Sequence, residues 1–134
     1  MEQKDYLQKQ INQLGRLLGE LLSNLLGLKS QGQINDGVEI TNQVLKRELD
    51  LNIQELINIR TDNFINTLKT GKSFNNQNLD KLADILLLIA DNKQGKDKQM
   101  LYEKCLTIYE YLEKVENVYS LDRQWKIERI KNVL

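Results

Sequence analysis

The sequence predicts an all-α protein built as two helical hairpins joined by short helices. Three observations predict it. The 134-residue chain contains no proline, so the strongest helix breaker is missing from every segment. Apolar residues recur four and three apart over long stretches, which is the spacing of one helical face. Glycine and short Asn- and Asp-containing segments fall where those stretches stop, as helix ends require.

The first helix follows from Leu7, Ile11, Leu14, Leu18, Leu21, Leu25 and Leu28, which alternate four and three apart and predict a helix over about residues 4–29. Leu17, Leu22 and Leu26 widen the stripe beyond a two-position seam, so this helix is expected to be covered by more than one neighbour and to sit centrally in the core. Ser30-Gln31-Gly32-Gln33 supplies a turn, and Asn35 or Asp36 is expected to cap a second helix over about 36–49. Val38, Thr41, Leu45 and Leu49 face inward there, forming a hairpin with the first helix. Asp50-Leu51-Asn52 offers the next cap, for a short helix over about 53–59. Asp62 is expected to cap another through Phe64, Ile65 and Leu68, ending at Gly71. The polar stretch from Lys72 to Asn78 divides the chain into halves.

From Asn78 the pattern Leu79, Leu82, Ala83, Leu86, Ile89, Ala90 predicts a helix to about residue 92, ended by the turn Gln94-Gly95-Lys96. Leu101, Cys105, Ile108, Leu112, Val115 and Tyr119 carry the next, over about 97–117, and place the thiol in the middle of an apolar face. Ser120 or Asp122 starts a closing helix with Leu121, Trp125, Ile130, Val133 and Leu134.

Composition bounds the function classes. With 40% hydrophobic and 28% charged residues, the chain has material for a single core over residues 1–134. Lys plus Arg and Asp plus Glu are both 19, so the net field that draws proteins to nucleic acid is absent and nucleic acid is not the expected partner. The polar start and the Arg16 and Glu20 interruptions argue against a signal peptide or membrane span. One cysteine builds neither an internal disulfide nor a multi-thiolate metal site, which fits a cytoplasmic location.

The segment Gly95 to Leu112, with Leu101-Tyr102-Glu103-Lys104-Cys105-Leu106 on the second helix of a hairpin, resembles the B helix of a tetratricopeptide-like repeat. Gly27 to Leu45 has a similar layout. The copies lie roughly 60 residues apart against the 34 of a true period, so the resemblance implies an irregular bundle of this kind. Asp5-Tyr6-Leu7, Gln10-Ile11 and Gln13-Leu14-Gly15-Arg16-Leu17-Leu18 resemble the N-termini of small bacterial all-helical domains of unknown function. That resemblance implies a fold and a bacterial provenance, and no activity.

The candidate sites are few. Thr70-Gly71-Lys72-Ser73 has the look of the end of a phosphate-binding loop, but Asn66 stands where its first glycine belongs and no strand precedes it. Histidine is absent, which removes the usual general base and commonest metal ligand. Glu103, Glu110, Glu113 and Glu116 interleave with Lys104 and Lys114, the pattern of a wet helix face. Cys105 reads as a buried structural thiol. No catalytic residue, metal site or cofactor is therefore expected, and the chain is read as non-enzymatic. Arg123, Lys126 and Arg129 follow three apart and are expected to lie along the Glu110, Glu113, Glu116 edge.

Two surfaces remain. Gly15, Gly19 and Ser23 are small residues four apart among leucines, forming a shallow groove for an internal helix, a second copy or, remotely, a membrane surface. Glycine inside a helix costs about 1 kcal/mol relative to alanine, which points to a close-packing need. Tyr102, Tyr109 and Tyr111 are the candidate aromatic surface. The expectation is a module that binds a protein partner or its own copy; the alternative is a small-molecule site in a cleft between the hairpins.

Overall fold

The computed structural model describes residues 2–70 and 74–134, with side chains from residue 5 onward. Among the described residues there are seven helices and no strand: α1 (Glu2–Ser30), α2 (Ile34–Leu49), α3 (Ile53–Asn58), α4 (Thr61–Lys69), α5 (Asn76–Asp91), α6 (Gly95–Val115) and α7 (Leu121–Val133). The fold is all-α. The Gly71 helix stop and the Gly71-Lys72-Ser73 part of the phosphate-loop look-alike lie outside the described residues.

Side-chain capping sets the starts of α3, α5 and α7. The Asn52 side chain accepts from the Glu55 N–H at 2.8 Å while the Glu55 carboxylate accepts from the Asn52 N–H at 3.4 Å, a reciprocal cap for α3. Asn75 caps α5 by accepting from the Asn78 N–H at 2.9 Å, so the helix begins ahead of the expected Asn78. Ser120, rather than Asp122, caps α7 through the Arg123 N–H. Two expected caps fail. Gln33 precedes α2 and Arg60 precedes α4, neither with a side-chain cap, leaving Asp36 and Asp62 in the first turns, where a carboxylate favours the helix dipole. The α1–α2 turn is instead closed by backbone, with the Gln33 N–H donating to the Leu28 carbonyl at 2.8 Å and Gly32 at φ +72°.

The centre of the molecule is α5, not α1. Every residue from Leu82 to Ala90 except Asp84 is buried, and a helix that is apolar all round belongs between neighbours. It lies between α1 and α6, with α2 on α1, α3 and α4 on α6, and α7 closing against α6. α1 buries Leu14, Leu18, Leu21 and Leu25 but leaves Leu26 half exposed; its wider leucine stripe runs out onto the surface. Because α1 packs more extensively on α5 than on α2, the two halves share one continuous apolar cluster. Gly37 is required where α2 meets α1, since a Cβ there would overlap the Leu25 side chain.

Candidate functional site

On α5 the acids Asp80, Asp84 and Asp91 lie four and seven residues apart, so they share one face of an otherwise apolar helix. Two tyrosines of α6, also seven apart, meet them in antiparallel register. The Tyr109 hydroxyl donates to Asp84 Oδ1 at 2.6 Å, and the Tyr102 hydroxyl donates to Asp91 Oδ1 at 2.6 Å. From the other side α7 brings cations to the same carboxylates. Lys126 Nζ lies 2.9 Å from Asp84 Oδ1, and the Arg129 guanidinium makes a two-pronged contact with Asp91 at 3.0 and 3.2 Å. Arg123, buried, reaches Asp80, Glu113 and Glu116 at 3.5, 3.1 and 3.4 Å.

The electrostatics follow from this arrangement. Burial and then the bond to Asp91 push the Tyr102 phenol up to about 12, and burial pushes Tyr109 up further. Burial opposes the charge of Lys126, but Asp122 and Asp84 outweigh it and hold its pKa above the ordinary lysine range. The hydrogen bonds to Asp91 do the same for Arg129. Burial, reinforced by a neighbouring Asp84, raises Asp80.

Between α1 and α7, floored by α5, lies an open cleft of about 430 Å³ lined by Leu22, Leu26, Lys29, Asp84, Leu87, Leu88, Asp91, Trp125, Lys126 and Arg129. Ahead of Trp125 the chain carries an apolar corner at the α6–α7 junction, where Val118, Tyr119 and Leu121 are strongly exposed.

The expected surfaces are redistributed. Tyr102 and Tyr109 are buried and form no aromatic surface, because their hydroxyls donate hydrogen bonds to Asp91 and Asp84 inside the bundle. Tyr111 is half-buried, its hydroxyl accepting from Lys69 Nζ at 2.7 Å. Gly15, Gly19 and Ser23 form no continuous groove. Gly15 is buried under α5, where Lys81 Nζ donates to its carbonyl at 3.1 Å and Asn78 Nδ2 donates to the Ile11 carbonyl at 3.0 Å. Gly19 has no atom of the described residues within 4 Å of where a Cβ would stand, and Ser23 is exposed.

Of the basic stripe, Arg123 takes the expected Glu113 and Glu116, whereas Lys126 and Arg129 turn to α5. Lys104, expected to be wet, is buried; its Nζ lies 3.3 Å from the Thr61 hydroxyl and above the Phe64 ring, and burial lowers its pKa. The signal for the network was Asp84 and Asp91 interrupting the apolar run of α5 at the spacing of Tyr102 and Tyr109. A carboxylate in such a run is kept only with buried partners.

Cys105 is fully buried, its Sγ 3.5 Å from the Ala83 carbonyl, and burial holds the thiol well above its ordinary range, so it lacks the thiolate character of a reactive cysteine. No group of three or more His, Cys, Asp or Glu side chains among the described residues could hold a metal ion. No helix among them is long and apolar enough to cross a membrane. Comparison with protein-family models, curated proteins and solved structures finds no match.

Proposed function

We propose that the protein works as a non-enzymatic interaction module that docks through the apolar corner between α6 and α7, and that its partner is a second copy of the chain. The observation that carries this reading is the run Val118, Tyr119, Leu121 and Trp125, four large side chains between 61% and 75% exposed. α7 already buries Ile127 and Ile130 on its inner side, so its outer apolar residues are not needed to hold the helix down. Exposed apolar clusters of this kind mark docking surfaces. Equal numbers of acidic and basic residues leave no long-range repulsion between copies, and a two-fold contact would lay the patch against itself.

A cytoplasmic location and a bacterial origin belong to the same reading, the first supported by a lone, buried thiol. So does the irregular tetratricopeptide-like arrangement, supported by the antiparallel α5–α6 pair. Sedimentation equilibrium tests the proposal. The expected result is a mass that rises from monomer toward dimer with concentration, and a Tyr119→Lys, Leu121→Lys variant that stays monomeric. A wild-type chain that is monomeric at every concentration overturns it.

A further inference from the structure

We infer that the cleft between α1 and α7 binds a small amphipathic carboxylate, its apolar body along Leu22, Leu26, Leu87, Leu88 and Trp125 and its head group at Lys29 and Arg129. The inference goes beyond the self-association reading, which uses residues that, Trp125 apart, do not line the cleft.

Size and lining set the class of ligand. A cleft of about 430 Å³ falls within the roughly 300–1,000 Å³ of small-molecule sites. Its α1 wall runs from Leu22 to Lys29, about 10 Å at 1.5 Å per helical residue, which suits a short extended chain. The floor is the buried pair Leu87 and Leu88, and the Trp125 ring forms part of the opposite wall.

Charge sets the polarity. At one end Lys126 sits between two carboxylates, 2.9 Å from Asp84 and 2.7 Å from Asp122, so acceptors are in excess there. At the other end donors are in excess. Asp91 is the only carboxylate lining that end, and it is already taken by Tyr102 and by two guanidinium nitrogens of Arg129. The Arg129 Nε is buried without a hydrogen-bond partner, and Lys29 makes no ion pair among the described residues. Gly15 of α1 stands opposite Asn78 and Lys81 of α5, and carrying that register forward puts Lys29 just past Asp91, at the end of α5 where both line the cleft. The carbonyl ends of α1 and α5 lie at this same end and offset part of the positive excess. A single carboxylate is therefore the matched head group, in preference to a phosphate dianion.

Trp125 is the chain's single tryptophan and lines the cleft, so its fluorescence responds to occupancy of the cleft as well as to contact between copies. The experiment titrates the protein with decanoate below its micelle concentration, and in parallel with 1-decanol. The expected result is a saturable change with decanoate, tighter than with the alcohol, that Lys29→Met weakens about tenfold by removing a charge-assisted contact. Leu26→Phe, which fills the cleft from a half-exposed position and leaves the core untouched, should abolish the change. A titration of the Tyr119→Lys, Leu121→Lys variant separates the two readings: a signal that persists there comes from the cleft, and one lost there comes from dissociation of copies and overturns the inference. No saturable change up to about 1 mM, an unaltered titration in Leu26→Phe, or equal binding of alcohol and carboxylate would each overturn it as well.

Discussion

At Gly19 a methyl group would meet open space, whereas at Gly15 it would stand 2.9 Å from Asn78 Oδ1. Replacing a mid-helix glycine by alanine gains up to about 1 kcal/mol, so Gly19→Ala should raise the melting temperature by several degrees. Gly15→Ala should lose that gain, because Asn78 is buried and tied to the Ile11 carbonyl and has to shift. Thermal denaturation of the two variants checks the contrast; equal stabilisation at both positions would contradict the close packing of α1 on α5. Tyr102 carries a pH signature. Its pKa is about 12 folded against 10.0 for the free side chain, so its contribution is complete below pH 10, where both states hold the proton. It falls between pH 10 and 12 as the unfolded chain deprotonates first. Chemical denaturation across that range should show stability falling as pH rises. Tyr102→Phe should cost about 1 kcal/mol at neutral pH and flatten the fall without removing it, since Tyr109 is shifted the same way.

At the scale of the element, α7 is held by two apolar side chains, Ile127 and Ile130, and by cations that each answer a carboxylate. Arg123 is the buried member, and removing it leaves Asp80, Glu113 and Glu116 facing one another. These acids are partly wet, with side-chain exposures of 40%, 16% and 30%, so the cost is set below that of a fully buried orphan charge. Arg123→Met should destabilise by roughly 2–3 kcal/mol, and adding Asp80→Asn should recover part of it; a denaturant series on both variants measures this. The pairing of Arg123 with Glu113 and Glu116 was legible in the sequence from matched spacing on adjacent helices. The rest of the network was signalled only by Asp84 and Asp91 within α5, and its partners were not legible. Tyrosines on a periodic stripe look the same whether their hydroxyls meet water or a carboxylate, and only the register of α5 against α6 decides between them. Of the alternatives for Gly15, Gly19 and Ser23, the internal helix is met at Gly15 alone, which α5 covers, and helical spacing does not say where that neighbour ends.

For the whole molecule, helix positions were legible because no proline intervenes and the four-and-three spacings are long. The identity of the central helix was not. The leucine stripe of the 29-residue α1 advertises itself from Leu7 to Leu28, while the shorter α5, with 16 residues, reveals its burial only through the lack of any wet face. The order of helices in the chain also gave no warning that α1 would lie on α5. Asn78 reaches the Ile11 carbonyl across 67 residues of sequence, whereas α5 and α6 are joined by a few residues. Closing a long loop costs more chain entropy than closing a short one, which favours pairing of α5 with α6 before α1 docks on α5. With no proline and no disulfide, refolding lacks the isomerisation steps that take tens of seconds. The time during which α5 waits for α1, with its apolar flank uncovered, is then set by a single long-range search, and newly made chains face their greatest risk of sticking to one another in that interval.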